Sequence, residues 1–261
     1  MNCTLRIYPS VSFGINTHKN RTNVTLFWLF VLLLLPTLLK AQGLKTHINE
    51  YKIAPAITEL EKKTVEKMQQ TGLPGLAIGI VYQDRVLYHK GFGVREAGKP
   101  EKVDADTVFQ LASLSKPLGS TVIAGLVNDG VMAWSDLVSR YEPNFVLNDT
   151  YATQHLTIGD LYSHRSGLPD HAGDTLEDMG YDRNEVLHRL RFIPIGNRFR
   201  NQYAYTNFGL TAGAVAAANA AKTKWEDLSE ARLYKPLGMI YTSSRYDDFI
   251  ATPIMRQGIS C

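Results

Sequence analysis

Cysteine is nearly missing from this chain: among 261 residues only Cys3 and Cys261 occur. No internal disulfide framework and no zinc-type cysteine spacing can therefore organise it. Acidic residues are absent from positions 1–41, which carry Arg6, Lys19, Arg21 and Lys40. With that segment set aside, 24 basic residues face 25 acidic ones, a net of −1, so the overall +3 does not describe a basic face. Nucleic acid is accordingly not expected as a partner. Two hydrolase signatures are lacking as well. The sequence has no Gly-x-Ser-x-Gly elbow of an α/β-hydrolase and no His-Glu-x-x-His for zinc hydrolysis. Neither repeats nor a low-complexity linker interrupts it, and no residue cluster calls for a metal or a cofactor. What remains is 44% hydrophobic and 20% charged, a globular composition.

The first 41 residues read as an export signal. A basic region precedes an apolar run at residues 24–39, and Ala41 offers a small residue for cleavage. At 16 residues the run is shorter than the roughly 20 that span a bilayer. Two readings follow: a cleaved signal that places the protein in the periplasm or outside the cell, or an anchor that keeps residues 24–39 in a membrane.

Beyond the signal, Pro55 suits the first turn of a helix whose apolar positions include Ile57, Leu60 and Met68, with Gly72 as its end. Residues 76–82 and 85–89 read as a β-hairpin. Gln83-Asp84 is not a favoured two-residue turn, so a longer loop is expected there. Leu118, Val122, Ile123, Leu126 and Val127 form the stripe of a buried helix ending at Gly130. Short helices are expected within residues 134–145, over residues 158–162 and around residues 184–190, followed by an alanine-rich helix to about Ala221. Thr223 and Glu226 have the spacing of a capping box. Residues 240–261 show no clear periodicity.

The chemistry centres on Ser113-Leu114-Ser115-Lys116, at the start of the striped helix. A spacing of three puts the lysine amine on the face of the Ser113 hydroxyl. A serine is a poor nucleophile until a neighbour takes its proton. Lysine can do so itself or tune a third group. Tyr205 is the best third group, because a nearby cation favours a phenolate. Asn207 could orient the lysine or donate to a substrate carbonyl. Such a serine–lysine spacing arises by chance about once in a chain this long. Other candidates are weaker. Ser115 faces away from the lysine, His164 reads as a structural hydrogen-bonding residue, and His171 as a metal ligand lacks companions. Arg198 and Arg200 read as a solvated loop rather than a greeting for an acidic substrate, and Trp225 as packing.

Ser-x-x-Lys, a His164-Arg165-Ser166-Gly167-Leu168-Pro169 turn and Tyr205-Thr206-Asn207 occur in that order behind a hairpin. Together they resemble the class C β-lactamase and penicillin-recognising serine hydrolase superfamily, which includes β-lactamases, D-alanyl-D-alanine carboxypeptidases and esterases. Leu73-Pro74-Gly75-Leu76-Ala77, Lys90-Gly91-Phe92-Gly93 and Pro236-Leu237-Gly238-Met239 are similar to it too. The resemblance spans roughly residues 50–245. It implies an α+β fold, a helical region packed on an antiparallel sheet. It also implies that Ser113 is acylated, Lys116 handles protons, Tyr205 is the base, and Asn207 contacts a substrate amide. The Ser113 backbone N–H would supply half an oxyanion hole. The implied substrate is an amide or ester: a β-lactam, a peptidoglycan-like D-amino-acid peptide, or another small molecule.

One family feature is not found. No Lys/His-x-Gly follows Tyr205, and the strands that should complete the sheet are missing. The expectation is a hydrolase domain at residues 50–261 without its C-terminal part. A rival is a sensor-like homologue that binds or acylates without turnover.

Overall fold

The computed structural model describes residues 50–251, so the expected signal or anchor at residues 1–41 lies outside the described residues. No helix among the described residues is long and apolar enough to cross a membrane. The chain divides into two units, residues 1–64 and 65–261, and the boundary falls inside the first helix, α1 (Glu50–Thr71). Because α1 begins at Glu50, Pro55 lies in its second turn rather than its first. There its ring removes a backbone hydrogen bond.

In the second unit, β1 (Gly75–Tyr82) and β2 (Arg85–Gly93) pair antiparallel as a two-stranded sheet. The expected longer loop is corrected to a two-residue turn. Gln83 and Asp84 take φ of 48° and 59°, the left-handed geometry that matches strand twist in such hairpins. The register shifts by a bulge between Ile80 and Val81, just before the turn. Gly75 and Gly91 face backbone so closely that a Cβ would come within 2.3 Å of the carbonyl oxygens of Val94 and Val103. Side chains are excluded at both positions, and the segment after β2 can lie flat against the hairpin.

The remaining helices are α2 (Ser115–Asn128), α3 (Thr150–His155), α4 (Ile158–Tyr162), α5 (Asp174–Asp178), α6 (Arg183–Arg189), α7 (Asn207–Ala220), α8 (Trp225–Ser229) and α9 (Tyr246–Ala251). The apolar stripe of α2 behaves as its spacing predicts: Val122, Ile123 and Leu126 are buried, with Leu118 and Val127 packed against that core. α7 packs on α2, α4, α6 and α8. It can touch four helices because its inner face is small: Ala212, Ala216 and Ala217 are fully buried. A Cβ on Gly213 would sit 2.6 Å from the Tyr162 ring.

Three local expectations differ from what is seen. Thr223 and Glu226 do not form a capping box; α8 starts after Lys224 with no side-chain cap. The reciprocal box belongs to α4, where Thr157 and Asp160 exchange hydrogen bonds. Residues 134–145 contain only a 3-10 turn, Val138–Arg140, and Tyr246–Ala251 is helical where no periodicity was visible. That last helix is short and has no buried residue, so no apolar stripe could announce it.

Candidate active site

Ser113 lies in the 3-10 turn Ala112–Leu114, which leads directly into α2. Ala112, the residue before it, has a φ of 46°. Alanine in the left-handed region costs about 1–2 kcal/mol, so the backbone is strained beside the serine. Lys116 sits in the first turn of α2, and its Nζ donates to Ser113 Oγ at 3.2 Å. Ser113 Oγ and Tyr205 Oη are 2.6 Å apart. Lys116 Nζ donates a shorter bond, 2.6 Å, to Asn207 Oδ1 and lies 4.6 Å from the centre of the Tyr205 ring. All four residues singled out in the sequence thus meet in one place. Ser113 itself is exposed, on the open side of the cluster.

Tyr205 and Asn207 reach the serine because the segment before α7 is clamped from two sides. His164 accepts the Thr206 N–H through Nδ1 at 3.1 Å, and its carbonyl accepts the Ala204 N–H at 3.0 Å. Its ring stacks on Tyr205, centroids 4.8 Å apart. From the other side the His171 N–H donates to the Tyr205 carbonyl at 2.7 Å. Both histidines hold φ of 57°, which turns the chain tightly enough to bracket the tyrosine.

The electrostatics favour a base. Hydrogen bonding from Lys116 first, and from Ser113 next, pulls the Tyr205 phenol below its ordinary value, against smaller upward pushes from burial and from the Asp174 carboxylate. Burial and then the Lys116 charge lower the His164 pKa. A neutral imidazole is also what an Nδ1 that accepts from Thr206 requires. His164 therefore buttresses the tyrosine.

Arg200 corrects its expectation as a solvated loop residue. Its guanidinium forks onto Asp160, with Nε 2.9 Å from Oδ1 and Nη2 2.7 Å from Oδ2, and Nη2 also donates to the His155 carbonyl at 2.8 Å. Asp160 closes the α4 capping box at the same time, so one carboxylate ties α4 to the segment that delivers Tyr205. Sequence reasoning also missed Asp174, whose Oδ2 accepts from Asn207 Nδ2 at 2.9 Å and lies 2.8 Å from His171 Nδ1. An aspartate in a polar, irregular stretch carries no pattern of its own. Among the described residues no group of three or more His, Cys, Asp or Glu is arranged to hold a metal ion.

The β-lactamase family profile matches residues 60–250. The chain belongs to the β-lactamase family. Its similarity to the unguisins hydrolase of Aspergillus violaceofuscus is 26% identity over 205 residues, covering 76% of this chain and 36% of that protein. Two solved structures share the fold at 22% identity. The octameric penicillin-binding protein homologue from Pyrococcus abyssi aligns with a TM-score of 0.68, over 77% of this chain and 47% of its own. A class C β-lactamase aligns at 0.62, over 75% of this chain and 52% of its own. The chain thus spans about a third to a half of the length of these relatives. Its fold is of the β-lactamase/transpeptidase kind, mixed helix and sheet, with two antiparallel strands among the described residues.

Proposed function

We propose that the chain carries the acylation half-site of a serine hydrolase acting on an amide or ester. The contact of 2.6 Å between Ser113 Oγ and Tyr205 Oη, with Lys116 beside both, carries this reading. Tyr205 as phenolate accepts the Ser113 proton while Oγ attacks the substrate carbonyl carbon. The Ser113 backbone N–H donates to the developing oxyanion. The C–N or C–O bond then breaks, and the leaving group takes the proton back from Tyr205. Water, deprotonated by the same phenolate, attacks the ester carbonyl, releases the acid and returns Ser113 to its hydroxyl form. Lys116 keeps the phenolate favourable throughout, and the second Nδ2 hydrogen of Asn207 is available to a substrate carbonyl. The substrate classes that fit are a β-lactam, a D-amino-acid peptide and a small ester.

The test is incubation with a fluorescent penicillin and, separately, with a fluorophosphonate, followed by mass spectrometry of the Ser113 peptide. The wild type should form an adduct that Ser113→Ala abolishes. No adduct with either reagent would overturn the acylation mechanism. A penicillin adduct that persists for hours would replace hydrolysis with a sensor-like role.

A further inference from the structure

Asp174, the first residue of α5, holds the Asn207 amide from the side away from Lys116. Asn207 is wedged between two partners of opposite kind. On one side Lys116 Nζ reaches its Oδ1 at 2.6 Å, and on the other its Nδ2 reaches Asp174 Oδ2 at 2.9 Å. A lysine amine in its charged form only donates and an ionised carboxylate only accepts. The primary amide between them can satisfy both in one orientation alone. A flipped amide would turn its NH₂ toward the Lys116 donors and its oxygen toward the carboxylate, breaking both bonds.

The rest of the network gives Asp174 a fixed seat. Gly173, just before it, holds a φ of 97° where a Cβ would come 2.9 Å from Phe208 and 3.0 Å from Val186. His171 Nδ1 lies 2.8 Å from the same Oδ2 that holds the amide, and the His171 backbone holds Tyr205. The His171–Asp174 pair therefore grips both ends of the Tyr205-Thr206-Asn207 segment. Asp174 Oδ1, by contrast, is buried with no hydrogen-bond partner among the described residues. A carboxylate satisfied on one oxygen only is a costly choice for stability, and its use here points to the orientation it imposes.

We propose that Asp174 is a positioning residue: it locks the amide of Asn207 so that its oxygen faces Lys116, and through that contact holds the lysine against Ser113 and Tyr205. This deepens the acyl-transfer reading above and rests on it.

The test is a double-mutant cycle of Asp174→Asn and Asn207→Ala, read by the rate of Ser113 modification with a fluorophosphonate. A parallel arm measures hydrogen exchange of the Asn207 side-chain amide by NMR in the intact chain, assigned by its loss in Asn207→Ala. Asp174→Asn keeps the shape but ends the one-way acceptor. It should slow labelling by roughly tenfold, the scale of a lost hydrogen bond to a charged group. In the Asn207→Ala background it should change the rate less than twofold, because the residue acts through the amide. The amide should exchange faster in Asp174→Asn than in the wild type. Equal slowing in both backgrounds would assign Asp174 a general structural role and overturn the proposal, as would unchanged labelling. A wild type that does not label at all would sink the acyl-transfer reading instead. The amide arm then decides alone: faster exchange in Asp174→Asn upholds the positioning role and equal exchange overturns it.

Discussion

Replacing Arg200 by methionine removes the guanidinium fork and leaves most of the side-chain volume. The loss is readable from the geometry. Three bonds to Asp160, at 2.9, 3.1 and 2.7 Å, and one to the His155 carbonyl disappear. Asp160, with only 10% of its side chain exposed, keeps the Thr157 N–H at 3.0 Å and the Thr157 hydroxyl at 2.7 Å, so it is not stranded. A hydrogen bond to a charged group contributes about 1.5–3 kcal/mol, but Arg200 is 41% exposed and water screens its end of the pair. The net expectation is a destabilisation of about 2 kcal/mol, well short of the ~3–5 kcal/mol for breaking a fully buried pair. For a domain of this size that lowers the melting temperature by about 4–8 °C, measured by circular dichroism at pH 7. The pH dependence supplies a second check. Burial pushes the Asp160 carboxyl up, yet hydrogen bonds from Arg200 and Thr157 outweigh it and hold the group below its ordinary 3.8. A lowered carboxylate contributes stability above its unfolded value and loses it as pH falls through the folded one. The gap between wild type and Arg200→Met should therefore hold steady from neutral pH down to mildly acidic pH and close below 3.8. A shift under about 1 °C, or a gap indifferent to pH, would refute the reasoning.

Two further outcomes follow from the site and its support. Tyr205→Phe should slow Ser113 labelling by about 10²–10⁴, the usual worth of a positioned base. Because the Tyr205 phenol is lowered from 10.0, the wild-type rate should rise with pH and level off below that value, while the Tyr205→Phe variant should show no such rise; a wild-type plateau reached only above 10.0 would contradict the assignment. Gly213→Ala sets two effects against each other. Helix propensity gains up to about 1 kcal/mol, but the new Cβ lands 2.6 Å from the half-buried Tyr162 ring, and overpacking costs about 1–3 kcal/mol. The variant should melt lower than the wild type, and a higher melting temperature would show that the α4–α7 contact yields.

The sequence was most legible where a single period or motif suffices. The α2 stripe, the hairpin strands, helix α4 and the meeting of Ser113, Lys116, Tyr205 and Asn207 follow from spacing and from ordered motifs. What escaped was decided by partners far along the chain. Arg200 finds Asp160 across forty positions, and Asp174 finds Asn207 across thirty-three; neither leaves a local mark. The Gln83-Asp84 turn escaped for the opposite reason. Its residues are mediocre in isolation, but the register of the paired strands forces positive φ on both. Thr223 and Glu226 show the converse error, a good local pattern overruled when α8 begins one residue too late to use it.

The small inner face of α7 has a consequence beyond packing. Asn207 is its first residue, and Gly213 lies six residues on, about 9 Å along the axis. A helix is stiff over that span, so a change in how deeply α7 seats against Tyr162 carries the Asn207 amide with it. The Lys116–Asn207 distance would then respond to residues that touch neither side chain. Volume on that face, varied one methyl at a time, would act as a graded control on the reactivity of Ser113, leaving Ser113, Lys116, Tyr205 and Asn207 themselves untouched.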